Sequence, residues 1–380
     1  MAVNVFPAAI SGGDLVSVVG PTGTPSGTMT ADYSFLSGVY VYAASSAVPV
    51  TLGSVTVSST TGTFYLSNPV SSASINVVSI APWTTRISGF GSTTINALTY
   101  GNNLYVAAGT AGILTTSTDG TTWTARTSTF GTTSINALTY GNNLYVAAGY
   151  AGQLRTSTDG ITWTSRTSGF GVSGISALTY GNNLYVAAGD SGTMTTSTDG
   201  ITWTTRTSGF GSTNINALTY GNNLYVAAGI AGILTTSTDG TTWTARTSGF
   251  GVLTIYALTY GNNLYVAAGS QALTTSTDGI TWTSRTSGFG ITSINALTYG
   301  NNLYVAAGDS GTMTTSTDGI TWTTRTSGFG STNIRALTYG NNLYVAAGIA
   351  GQLRTSTNGL GALTSNYILN LTYFPPVIAS

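Results

Sequence analysis

The chain has 380 residues, 41% hydrophobic and 11% aromatic, which is enough apolar material for a buried core. Charged residues make up only 5%, ten arginines against ten aspartates, and Lys, Glu, His and Cys do not occur. These absences exclude thiol and imidazole chemistry, disulfides, and zinc, copper, haem or iron–sulfur sites; they leave no basic stripe for nucleic acid, and no apolar run reaches the roughly 18 residues of a membrane span.

In chain order, the first 15 residues, MAVNVFPAAISGGDL, lack the basic and apolar regions of a secretory signal. Gly, Pro and Ser then punctuate strand-like runs at GVYVYAA, VPVTLGSVTVSS and GTFYLS, so a small β domain is expected over residues 1–80. From residue 81 the sequence becomes periodic. ALTYGNNLYVAAG starts at 97, 137, 177, 217, 257, 296 and 336, and a spacing of 40 residues, once 39, with β-rich content matches one four-stranded propeller blade per copy. In the first copy INALTY (95–100), LYVAAG (104–109), ILTTST (113–118) and TWTARTS (122–128) read as the four strands. GNN joins the first pair and DG the last, both suited to turns with positive φ. Helix signals are absent.

The tryptophans show how the array closes. Trp83, Trp123, Trp163, Trp203, Trp243, Trp282 and Trp322 occupy one equivalent place, yet Trp83 precedes the first copy and the last copy stops at STNG (356–359) without one. The expected fold is therefore all-β: a seven-bladed propeller over 81–359 whose last blade is completed by an N-terminal strand, which removes open sheet edges. No proline falls between Pro82 and Pro375, as full hydrogen-bond ladders favour. The tail 360–380 ends in a strand-like alternation and is expected to pack on the N-terminal domain, forming an attachment module. The block at 189–215 recurs at 308–334, three blades on, so identity among copies reflects recent duplication as well as constraint.

The segment STDGTTW (117–123), with relatives at 157, 197, 237, 276 and 316, resembles the Asp-box, or BNR, repeat of the propellers in sialidases, sortilin-type receptors, some glycan-cleaving enzymes and a photosystem assembly factor. The resemblance covers about 81–359, with one residue fewer between Asp and Trp than the usual repeat, so a tighter hairpin is expected. A short Asp in a turn accepts several backbone N–H bonds. Asp119, Asp159, Asp199, Asp239, Asp278 and Asp318 are accordingly expected to be structural, with Asn358 in their place in the last copy. Sialidase activity would imply converging arginines, a Tyr nucleophile and an acidic partner, usually Glu. Here Arg86, Arg126, Arg166, Arg206, Arg246, Arg285 and Arg325 share one equivalent position and cannot converge. Outside the boxes only Asp14, Asp32, Asp190 and Asp309 remain, the last two being three blades apart, far beyond the 5–9.5 Å of a glycosidase pair. No catalytic residue, metal or cofactor is expected.

Successive turns of a blade alternate between faces, so GNN and the Asp-containing turn share one face and the other connections share the opposite one. The first face is nearly invariant. On the second, copies diverge after VAAG and after FG, with Tyr150, Arg155, Asp190, Tyr256, Asp309, Arg335 and Arg354 as candidate ligand-binding residues. Two explanations stand at this point: drift in tolerant loops, or a shallow polar surface that binds a sugar. Tyr100, Tyr105 and their equivalents are assigned to packing. Young repeats, Ser/Thr/Gly-rich strands, no lysine and a small β domain fused to a propeller resemble bacteriophage tail fibres, spikes or capsid appendages. That resemblance implies a non-enzymatic protein of the virion, an extracellular particle, docked on other virion proteins through its N-terminal domain, homo-oligomeric, and binding a host surface glycan or other receptor through the variable face. The alternatives are a purely structural capsid or tail component with the disc as protein–protein spacer, and a secreted lectin-like adhesin.

Overall fold

The computed structural model describes residues 83–360 and, beyond them, the backbone of Asn4–Val5, Tyr42–Ala43, Val50–Thr51, Ala362–Leu363 and Thr372–Tyr373. The chain divides into two units, Trp83–Gly361 and the remainder. In the second unit Asn4–Val5 pairs with Tyr42–Ala43, and Val50–Thr51 with Thr372–Tyr373. The rest of the small β domain expected over 1–80, and the packing of the 360–380 tail on it, lie outside the described residues.

Trp83–Gly361 is a seven-bladed β-propeller of four-stranded antiparallel blades, and blades 1 to 6 each draw these four strands from consecutive stretches of the chain. Blade 1 consists of Ile95–Gly101, Leu104–Gly109, Leu114–Ser117 and Thr124–Arg126. Blade 7 takes its first three strands from Ile334–Gly340, Leu343–Gly348 and Leu353–Ser356, and its fourth from Thr84–Arg86, in the register Leu353 to Arg86 and Thr355 to Thr84. The ring thus closes across the whole array, as expected.

The turns are set by residue type. Asn102 and Asn103 have φ of 43° and 58°, the double positive φ of a type I′ hairpin, and every GNN repeats it. The fourth strand is shorter than expected because Trp123 belongs to the preceding turn and Ser128 leaves the ladder to donate to the Gly112 carbonyl at 2.5 Å. A three-residue 3-10 turn, Thr110–Gly112 in blade 1, follows the second strand and is not foreseen by the sequence pattern. Blade 5 has one residue fewer between its second and third strands, hence the single spacing of 39, and has there a bridge from Ser270 to Ser293 in place of the 3-10 turn.

The core lies between blades. LYVAAG is buried on both faces: Tyr105 and Ala107 enter the joint with Val345, Ala347 and Leu353 of blade 7, while Val106 and Ala108 enter the joint with Ile135, Tyr145 and Ala147 of blade 2. Two neighbours therefore constrain successive side chains, and the small alanines let the sheets approach. Each buried second-strand tyrosine donates its hydroxyl to a glycine carbonyl one blade back, Tyr145 to Gly101 and, across the closure, Tyr105 to Gly340. Gly101 itself is a slot: a Cβ there would lie 2.1 Å from the ring of Tyr140 in blade 2.

Candidate binding site at the channel mouth

The first two strands of every blade share one irregularity. In blade 1, Ile95 pairs with Gly109 and Ala97 with Ala108, so Asn96 has no cross-strand partner and forms a β-bulge. Gly109 makes this possible, because a Cβ at that position would sit 2.0 Å from the Thr94 carbonyl oxygen. The irregularity recurs in all the other blades. Bulges re-aim a side chain, and here the first strands surround the axis of the disc. The bulged residues Asn96, Asn136, Ser176, Asn216, Tyr256, Asn295 and Arg335 line a cavity of about 220 Å³, with the Ala97 and Leu98 rows completing its wall. It lies at the end of the channel where the inner strands begin, on the face of the variable connections.

The ring is polar and partly fixed. Asn96 donates its side-chain N–H to the Ile135 carbonyl at 3.1 Å, Asn216 to Ile255 at 3.0 Å and Asn295 to Ile334 at 3.1 Å, each reaching the next blade. Their donors are thereby committed, while among the described residues the Oδ1 atoms of these three have no protein donor. Tyr256 is 39% exposed and Arg335 is exposed, so the two bulkiest members stand free in the mouth. Such a site offers acceptors, one phenol and one guanidinium to a ligand rich in hydroxyls.

The other sequence candidates are placed elsewhere. Tyr150, 57% exposed, opens the 3-10 turn of blade 2 on the same face and lies over Gly174, where a Cβ would be 3.3 Å from its ring. Asp190 accepts from the Gly174 amide at 3.0 Å and from Asn214 at 3.1 Å, each just ahead of a first strand, and Asp309 accepts from Asn295 within one at 2.9 Å, so both tie a turn to the residues around the start of a first strand. Arg155 and Arg354 stand within third strands, not at the mouth, where five blades have threonine. Their guanidiniums lie 4.8 Å over Phe130 and 5.3 Å over Phe329, and Arg155 also bonds Thr129 Oγ1 at 3.2 Å. The structure thus brings Tyr256 and Arg335 together with four asparagines and a serine that the loop comparison passed over. The signal was the one changing letter in I-x-A-L-T-Y.

On the opposite face the Ser-x-Asp-Gly turns bind their polar groups largely to one another. Ser117 Oγ donates to Asp119 Oδ1 at 2.9 Å and accepts from the Gly120 amide at 2.8 Å. The same Oδ1 accepts from the amides of Thr121 and Thr122 at 2.8 Å, and Trp123 Nε1 donates to the Gly120 carbonyl at 3.1 Å. The Thr121 hydroxyl and these amides hold the Asp119 carboxyl well below the usual range, and Thr241 leads the same effect at Asp239. At Asp159, Asp199, Asp278 and Asp318 the amide three residues on leads it.

Comparison with known proteins agrees with this architecture. The model of a family described as DUF6242 beta propeller domain matches residues 82–219, 172–287 and 213–342. No curated protein sequence matches the chain. Among solved structures, YCF48 from Cyanidioschyzon merolae is similar at 18% identity and a TM-score of 0.58, over 72% of this chain and 98% of that one. YCF48 bound to D1 peptide gives 16%, 0.60, 76% and 97%. A virginiamycin B lyase from Staphylococcus aureus gives 11%, 0.65, 72% and 98%. At these identities the likeness is one of fold.

Proposed function

Since the chain belongs to the DUF6242 beta propeller domain family, we propose that its function rests on the propeller's channel mouth, and that it is a non-enzymatic recognition protein that binds a hydroxyl-rich surface glycan. The observation that carries this is the bulge ring: near-identical blades re-aim one residue each into a common cavity, and at that position the copies differ. Amide oxygens, a phenol and a guanidinium suit sugar hydroxyls, and the phenol ring offers a flat stacking face. No step of bond cleavage is assigned to the site, which holds no carboxylate pair or thiol among its lining residues.

We further propose that the protein works on a virion as a tail fibre, spike or capsid appendage, attached to other virion proteins through residues 1–80, with several copies per particle. The young repeats and lysine-free composition support that placement, and multiple copies would convert weak sugar contacts into avidity. A spacer role has one observation in its favour: Val172, Val252 and Ile291 are 84–91% exposed on the inter-blade connections of the variable face, as a protein–protein contact would use.

The test is retention of the full chain on an array of bacterial surface polysaccharides. Wild type should bind, and Tyr256→Ala and Asn216→Ala should each weaken binding about tenfold, roughly 1.4 kcal/mol. Binding untouched by both changes would remove the channel mouth from the function; no binding to any polysaccharide would favour the spacer.

A further inference from the structure

The bulge ring holds one cation, and the protein gives it nothing to do. Arg86, Arg126, Arg166, Arg206, Arg246, Arg285 and Arg325 each donate Nε to a threonine hydroxyl at 2.8–2.9 Å. Arg155 and Arg354 lie over phenylalanine rings and bond to neighbouring oxygens. Among the described residues Arg335 alone of the arginines has no hydrogen bond, ion pair or ring contact, and it stands exposed in the mouth of a cavity walled by amides, alanine and leucine. Its nearest ring neighbour in sequence order, Asn295, is already committed to the Ile334 carbonyl and to Asp309.

Building on the glycan reading above, we infer that the channel mouth selects a sugar carrying a single carboxylate, a hexuronic acid at the end of a polysaccharide chain. A guanidinium presents a planar fork that matches a carboxylate in a bidentate pair. One cation balances one negative charge, whereas a phosphate monoester carries about −1.5 to −2 at neutral pH and would bring uncompensated charge beside Asp309. Size restricts the ligand further. The cavity of about 220 Å³ lies below the roughly 300–1,000 Å³ of sites that enclose drug-sized ligands. That size suits one sugar ring, and a chain end presents such a ring with its carboxylate free. The carboxylate would lie on Arg335, the ring hydroxyls would donate to Oδ1 of Asn96, Asn216 and Asn295, and the sugar face would meet Tyr256.

The experiment is calorimetric titration of the full chain with two matched oligosaccharides, one ending in a hexuronic acid and one in the corresponding neutral hexose. Wild type should prefer the acidic end by tenfold or more, and the preference should shrink as salt rises from 50 to 500 mM. Arg335→Gln should erase the preference, so that the acidic and neutral ends bind alike, and Arg335→Lys should restore part of it, having charge without the fork. Equal binding of both ends by wild type would overturn the charge selection and leave the glycan reading standing. Absence of binding to either would overturn both.

Discussion

Tyr225 shows at the scale of one residue why the repeat tolerates so little change. It is wholly buried, donates its hydroxyl to the Gly181 carbonyl of the preceding blade, and burial pushes its ionisation above the ordinary phenol range. Tyr225→Phe leaves that carbonyl without its donor in a dry joint, and should cost about 1–3 kcal/mol in urea unfolding; an unchanged midpoint would mean the bond adds nothing. Gly221 is constrained from the other side, since a Cβ there would meet the Tyr260 ring at 2.1 Å. Gly221→Ala should destabilise by about 1–3 kcal/mol or more through overpacking. At this scale Tyr256 and Arg335 were legible because they differ from their counterparts, while Asn96, Asn136, Asn216 and Asn295, alike among themselves, read as scaffold until their bulges placed them around the axis.

Turns and strands differ in how far the sequence exposes them. The type I′ hairpins and the Ser-x-Asp-Gly turns depend on a few adjacent residues, so Asn-Asn and Asp-Gly announce them. The bulge and the 3-10 turn depend on how two strands pair, one extra residue opposite Gly109, and no local letter states a register. The Asp turns make a pH prediction. Their folded pKa values lie below the unfolded value of about 3.9, so their stabilisation is fully present above roughly pH 4 and is lost as pH falls through the depressed folded values. The second-strand tyrosines act in the opposite sense: their folded values lie above the unfolded value of about 10, so their contribution is complete below roughly pH 10 and is lost as pH rises further. A Tm profile from pH 2 to 12 should show a plateau with a fall at each end; a Tm that holds flat to pH 2 would remove the turns from the acid response.

For the whole propeller, stability depends on closure. Thr84–Arg86 supplies the fourth strand of blade 7, and Tyr105 links blade 1 to Gly340 across the same seam. The seam is also where the repeat is least complete: Trp83 Nε1 is buried without an acceptor, whereas Trp123 Nε1 has the Gly120 carbonyl, and Asn358 stands where six copies have Asp. Deleting residues 1–86 should expose the Leu353–Ser356 edge, lower the Tm and yield oligomers by light scattering; a monomer of unchanged Tm would show that closure is dispensable. The closure was legible in the sequence because a lone Trp segment preceded the array and its last copy lacked one. The candidate binding surface was legible only as a face, since which residues of that face converge is decided by the ring and not by any single blade.

The chain's lack of cysteine permits a direct test of the channel mouth. Ser176→Cys places a single thiol in the bulge ring, and Thr121→Cys places one on the opposite face, each to be capped with a bulky maleimide before retention on immobilised surface polysaccharide is measured. Capping at 176 should abolish retention and capping at 121 should leave it intact. Full retention after capping at 176, or equal loss at both positions, would contradict a binding site at the channel mouth.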